Sequence, residues 1–118
     1  MMRFDEIHND LELLNDIDWD MGPEDAVTMH LEWGNNPVIR KKNFRSTGEY
    51  STYFVVNTWR EPIIYLIRRN ADNMEELAEF RMPQDMESRF MDSVGHNKGV
   101  YAIEGEVKEW LQSKVNEA

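Results

Sequence analysis

Three aspartates stand at alternate positions in segment 15–25, which reads NDIDWDMGPED. Carboxylates at this spacing, followed by a glycine, are typical of the first half of an EF-hand calcium loop. With Asp16 as the first loop position, however, the glycine comes one place late and the closing glutamate is replaced by Val27. We therefore predict a connector between two helices, with its acids near the positive N-terminus of the second helix. The alternative is a weak cation site formed by Asp16, Asp18 and Asp20.

Basic and aromatic residues are interleaved in the middle of the chain. Residues 37–69 carry a net charge of +5, whereas residues 1–36 carry −9 and residues 70–118 carry −6. The basic residues are Arg40, Lys41, Lys42, Arg45, Arg60, Arg68 and Arg69, and the aromatic ones are Phe44, Tyr53, Phe54, Trp59 and Tyr65. Such a strip can bind single-stranded nucleic acid, because bases stack on aromatic rings and cations neutralise phosphates. A net charge of −10 repels polyanions, however, and RNP-type and GxxG motifs are absent.

The first interpretation of this strip is therefore a surface that contacts a protein partner. The predicted partner-binding residues are Arg40, Lys42, Arg45, Trp59, Arg60 and Arg68. Nucleic-acid binding through the same strip is the alternative. Trp33 and Trp59 are interpreted first as buried anchors, and as interface hot spots if they are exposed.

Signatures of catalysis and of cofactor binding are missing from the sequence. No G-x-S-x-G, H-E-x-x-H, GxxxxGK[ST] or GxGxxG motif is present, so no cofactor is predicted. The absence of cysteine excludes disulfides and thiolate metal sites. His8 and Glu12 have the spacing of a helical metal pair, but no third ligand is placed to complete it. No catalytic or metal-binding residues are predicted, and a small enzyme of unrecognised type is the third interpretation.

The composition is that of a single domain spanning residues 1–118. A chain of 118 residues with 41% hydrophobic residues can bury a core of ordinary size. The acidic start of the chain predicts no signal peptide, and the short apolar runs predict no membrane span. We therefore expect a cytoplasmic protein with no membrane contact, whose oligomeric state the sequence leaves open.

The predicted elements define an α+β domain. Apolar residues at helical spacing predict helices over 3–16 and 23–33. Runs of β-branched and aromatic residues predict strands over 38–45, 50–59 and 63–69, which we expect to form a three-stranded antiparallel meander. Further helices are predicted over 72–81, after Pro83 and over 105–116, with VYAI as a possible short fourth strand. Helices from both termini would then pack on the sheet.

Four stretches carry a resemblance to known sequences: DLELLNDIDWDM, LEWGNN, YFVVNTW and YLIRRN. Together they resemble a small family of uncharacterised acidic proteins from anaerobic, chiefly sulfate-reducing, bacteria. That family has no assigned activity. The resemblance implies a bacterial cytosolic setting and provides no catalytic residues to carry over.

Overall fold

A four-stranded antiparallel sheet organises the protein. The computed structural model describes residues 1–20, 51–69 and 74–117. The strands are β1 (Ser51–Asn57), β2 (Ile63–Arg69), β3 (Met74–Phe80) and β4 (Val100–Ala102), arranged in the order β3-β2-β1-β4. Consecutive strands β1, β2 and β3 form a meander, and β4 returns to pair with the other side of β1.

One face of this sheet packs against the helices and contributes its side chains to the hydrophobic core. The register places Phe54 opposite Leu66 and Val56 opposite Ile64, so these four side chains share a face. The β2–β3 register continues the row, with Ala78 opposite Leu66. Tyr53, Val55 and Ile67 alternate onto the other face and are also buried. The central residues of β1 and β2 are therefore apolar on both faces of the sheet, because both faces are shielded from water there.

Four described helices complete the fold: α1 (Phe4–Asn9), α2 (Leu11–Asp16), α3 (Gln84–Ser93) and α4 (Gly105–Glu117). Helix α4 buries Val107, Leu111 and Val115, which recur every four residues on one side. Ile7 from α1 and Leu13 from α2 enter the same core cluster. The helix predicted after Pro83 and the helix predicted over 105–116 are thus confirmed.

Aromatic rings link the first helix to the sheet and to the last helix. The ring of Phe4 stacks on Phe80, with centroids 3.9 Å apart and planes 8° apart, and meets Trp110 edge-on at 5.7 Å. The His8 ring adds a polar link, since its Nδ1 lies 2.7 Å from the carbonyl oxygen of Val115 and serves as the hydrogen-bond donor. These contacts hold the two terminal segments of the chain together.

The predicted single helix over 3–16 is wrong, because the chain is broken at Asp10. Its backbone leaves the helical region at φ −96° and ψ 89°, and its carboxylate accepts a hydrogen bond of 3.1 Å from the backbone N–H of Leu13. Aspartate is a strong N-capping residue because it satisfies the free N–H groups of a first helical turn. The break lets α1 and α2 each direct one apolar side toward the core.

The helix predicted over 72–81 is also wrong, because residues 74–80 form strand β3. Methionine, glutamate, leucine and alanine all favour helices, so the local sequence of this segment favours a helix and not a strand. Pairing with β2 overrides this preference, and an irregularity at Leu66/Ile67 shifts the register. Both Leu77 and Ala78 are buried as a result, although they are adjacent in sequence.

The remaining elements follow the predictions where the structure describes them. Strands β1 and β2 lie within the predicted ranges 50–59 and 63–69, VYAI contributes β4, and the α+β class is confirmed. The helix predicted over 23–33, the strand predicted over 38–45 and Trp33 lie outside the described residues. In the part of the chain that is described, no helix is both long and apolar enough to span a bilayer.

Candidate interaction surface

Two of the predicted partner-binding residues are exposed in the loop between β1 and β2. Trp59 keeps 54% of its surface accessible, and Arg60 next to it is also exposed. The preferred interpretation of Trp59 as a buried anchor is therefore wrong, and its alternative as an exposed contact residue fits the structure. Arg40, Lys42 and Arg45 lie outside the described residues.

Arg68 lies inside the protein. Only 1% of its surface is accessible, and its Nε lies 3.5 Å from the hydroxyl oxygen of Thr52 on β1. The register also places Arg68 opposite Glu75 on β3. Because alternation along β2 puts Arg68 on the same face as Leu66, its guanidinium sits at the end of the helix-covered face. Arg68 therefore contributes no accessible surface for a partner in this structure.

The backbone at Trp59 is held in place by its neighbours. The side-chain oxygen of Asn57 accepts a hydrogen bond of 2.9 Å from the Trp59 backbone N–H, which is an Asx-turn. Thr58, between them, is buried at 5% exposure. The exposed indole is thus carried on a fixed turn, so little conformational entropy is lost from the backbone when a partner binds.

Thr58 ties this turn to the loop between α3 and β4. Its hydroxyl donates to the carbonyl of Asn97 at 2.8 Å and accepts from the backbone N–H of Gly99 at 3.0 Å. The Thr58 backbone N–H also donates to the Gly99 carbonyl at 2.9 Å. A Cβ atom at position 99 would lie 3.3 Å from the Tyr101 hydroxyl oxygen. Glycine therefore lets the backbone at this position pack closely against the Tyr101 side chain. The two loops therefore form one surface at this end of the sheet.

The second loop has a defined shape of its own. Gly95 and His96 both have positive φ, at 66° and 56°, which reverses the chain after α3. The Asn97 side chain donates to the Val94 carbonyl at 2.9 Å, and the His96 ring lies 2.8 Å from the Asp92 carboxylate. Lys98 follows these residues and is exposed.

Arg60 and Lys98, the cations on these two loops, form no ion pair with a described residue. Elsewhere, Arg3 pairs with Asp5, Arg81 with Glu61 and Glu87, Arg89 with Glu106, and Lys108 with Asp20. Lys114 on α4 is a third exposed cation without such a pair. We call Trp59, Arg60 and Lys98 the Trp59 surface, since it combines a large apolar ring with two available positive charges.

The pKa of Tyr65 on β2 is affected by nearby charges of both signs. Burial of Tyr65 raises the pKa of its hydroxyl above the usual value of 10.0, and the carboxylates of Glu76 and Glu79 raise it further. Arg60 opposes this shift, because a nearby cation favours the phenolate. Arg60 is therefore close enough to Tyr65 to influence it electrostatically.

The aspartates of segment 15–25 have structural contacts in the described part. Asp18 accepts a hydrogen bond of 2.9 Å from the backbone N–H of Asp20, and Asp20 pairs with Lys108 at 2.8 Å. Within the described residues, no three His, Cys, Asp or Glu side chains converge on a position that could hold a metal ion. Residues 21–25 lie outside the described part, as does the predicted start of the second helix.

Lys98 and Thr58 were missed by sequence reasoning. The segment GHNKG predicts a loop, and the structure confirms one, but nothing local indicates which part of the chain it adjoins. Thr58 and Asn97 are 39 residues apart, and they meet only because β4 pairs with β1. Finding Thr58 and Lys98 as neighbours would have required a prediction that β4 pairs with β1.

Comparisons with known proteins add no relative to this description. No family model matches the chain, and no curated protein or solved structure shows significant similarity to it.

Proposed function

We propose that this protein is a non-catalytic interaction module that contacts a protein partner through the Trp59 surface. The observation that carries the proposal is an indole exposed on a fixed turn and accompanied by two cations that form no ion pair with a described residue. Tryptophan and arginine are the residues most often found at the energetic centre of protein interfaces. Arg40, Lys42 and Arg45, which the sequence also predicts as partner-binding residues, lie outside the described residues.

A protein partner fits the charge of the molecule better than a nucleic acid does. The Trp59 surface carries two positive charges, whereas the chain as a whole carries −10. Nucleic-acid affinity depends on many phosphate contacts, and an acidic body weakens it at long range. A protein surface needs only local complementarity. On the basis of the family resemblance, we place this module in the bacterial cytoplasm.

Site-specific photocrosslinking tests the proposal. A benzophenone amino acid would replace Arg60, and a matched control would carry it at Ser113, which is exposed on α4. Each purified protein would be irradiated in lysate of the source cells, with and without nuclease treatment. We expect a protein adduct from position 60 but not from position 113, and we expect excess unmodified protein to compete for it better than Trp59→Ala does.

Other adduct patterns would overturn the proposal. An adduct that disappears with nuclease treatment would assign the surface to nucleic acid instead. Equal labelling from both positions would mean that contact at Arg60 is unspecific. Because Trp59 is exposed, Trp59→Ala should keep the fold, which circular dichroism would verify.

A further inference from the structure

A second exposed apolar residue stands on an acidic part of the surface. In the described part of the chain, the large apolar side chains left exposed are Met1 at 71%, Leu11 at 69% and Trp59 at 54%. Helix α2 carries Leu11 and turns Leu13 toward the core. Glu12 and Asp16 on the same helix are exposed. We call Leu11, Glu12 and Asp16 the Leu11 surface.

The Leu11 surface and the Trp59 surface are complementary in chemistry. Each presents one large apolar side chain, and the first adds two negative charges where the second adds two positive charges. Opposite charges around an apolar centre favour encounter and fix orientation, and desolvation of the apolar side chains supplies affinity. With a net charge of −10, two copies repel each other except where such a local match exists.

The C-terminal end of α2 and the Trp59 turn lie at opposite ends of β1. Ile17, just after α2, pairs in the parallel sense with Thr52 near the start of β1, and Asp18 N–H donates to the Thr52 carbonyl at 2.7 Å. The chain therefore enters this pairing from the Ser51 end. Trp59 follows the far end of the strand, about 20 Å from Thr52 at the usual rise per residue. Asp16 of the Leu11 surface, which directly precedes Ile17, is therefore remote from Trp59 within one copy.

We propose that a second copy of this chain is the partner, and that the Leu11 surface of one copy docks on the Trp59 surface of the next. This inference rests on the proposed function and names its partner. The contact is heterologous, since it joins two different surfaces, so it leaves one surface of each kind free at the ends of a dimer. Two small surfaces bury little area, and the association is therefore weak and dependent on protein concentration.

Mixing two defective variants provides the test. Leu11→Ser removes one apolar centre and Trp59→Ser removes the other, and both positions are exposed, so the fold should be retained. Sedimentation velocity over a range of concentrations should show that the wild-type chain grows beyond a dimer. Each variant alone should associate roughly tenfold or more weakly, because an apolar hot spot is lost. An equimolar mixture should form a 1:1 dimer and no larger species, since it retains one intact pair of surfaces.

Charge variants sharpen this test. Arg60→Glu should weaken self-association, and adding Glu12→Arg to the same chain should restore it through the reversed pair, because no wild-type pair of surfaces then remains. Lys114→Gln is the matched control, because Lys114 is an exposed cation without a described ion pair and belongs to neither surface. It should leave sedimentation unchanged.

Several results would overturn the inference. A chain that stays monomeric at all concentrations would do so, and so would wild-type association that the mixture of Leu11→Ser and Trp59→Ser fails to reproduce. If position 60 still crosslinks specifically to another protein in either case, the interaction module stands and only the self-association is wrong. If no specific protein adduct forms at position 60, the proposed function itself fails.

Discussion

Thr58 Oγ1 donates a hydrogen bond of 2.8 Å to the carbonyl oxygen of Asn97, and this contact joins the two loops that carry the Trp59 surface. The same hydroxyl accepts from the Gly99 backbone N–H at 3.0 Å. A buried hydroxyl that both donates and accepts leaves neither loop free to move independently. The position of Lys98 relative to Trp59 therefore depends on one side chain that itself has almost no contact with solvent.

Replacing Thr58 by valine should destabilise the protein and loosen this surface. Valine keeps the shape but leaves the Asn97 carbonyl and the Gly99 N–H without their hydroxyl partner. We expect a loss of about 1–3 kcal/mol in the free energy of unfolding, which urea denaturation would measure. Thr58→Ser keeps the hydroxyl and should recover most of the loss. If Thr58→Val kept the wild-type stability while Thr58→Ser lost it, packing of the methyl group, and not the hydrogen bonds, would matter here.

Strands β1 and β2 were the easiest part of the fold to predict, because their apolar and polar residues do not alternate and both of their faces are buried. Five of the seven residues in each of strands β1 and β2 are β-branched, aromatic or leucine, so their composition correctly predicts buried strands. Strand β3 was missed because MEELAEF favours a helix locally, and its pairing with β2 depends on residues elsewhere in the chain. The break at Asp10 was missed because the apolar spacing of residues 4–14 continues through it.

The exposed surface was harder to predict than the fold. Composition marked Trp59, Arg60 and Arg68 alike as partner-binding residues, although the first two are exposed and Arg68 is buried. The charge of a residue does not show whether its side chain is exposed on the surface or buried against the sheet. Lys98 joins the site through a strand pairing between β1 and β4 that no local pattern encodes.

Replacing Asp10 by alanine should weaken the start of α2. The Asp10 carboxylate accepts the hydrogen bond from Leu13 N–H, and alanine leaves that N–H group without this acceptor. We expect a destabilisation of about 1 kcal/mol, the usual cost of losing an N-cap. Thermal or urea denaturation would measure it, with Asp10→Asn as the control because asparagine also caps helices well. If asparagine were as harmful as alanine, the charge at this position would matter more than the cap.

The ion pair between Arg89 and Glu106 should make stability depend on pH. The hydrogen bond from Arg89 lowers the pKa of the Glu106 carboxyl below its usual value of 4.5. A lowered pKa in the folded state means that the stabilisation is fully present above about pH 4.5 and is lost as the pH falls through the folded value. The stability advantage of wild type over Glu106→Gln should therefore shrink on acidification below that pH, as urea midpoints would show. Glu109→Gln controls for the loss of one acid from the same helix. An advantage that does not change with pH would contradict the role of this pair.

Arg68 and Arg60 should respond in opposite ways to the same substitution. Arg68 is 1% exposed, lies opposite Glu75 in the sheet and contacts Thr52, so Arg68→Ala leaves buried polar groups uncompensated. We expect a loss of about 3–5 kcal/mol in the free energy of unfolding, as for other buried charged groups that lose a partner. Arg60→Ala, on the exposed loop, should change stability by no more than about 0.5 kcal/mol while it reduces competition for the crosslink from position 60. Urea denaturation and the crosslinking competition would be measured on both variants. If Arg68→Ala left stability unchanged but reduced competition, Arg68 would have to be accessible to the partner, and its assignment to the interior of the sheet would be wrong.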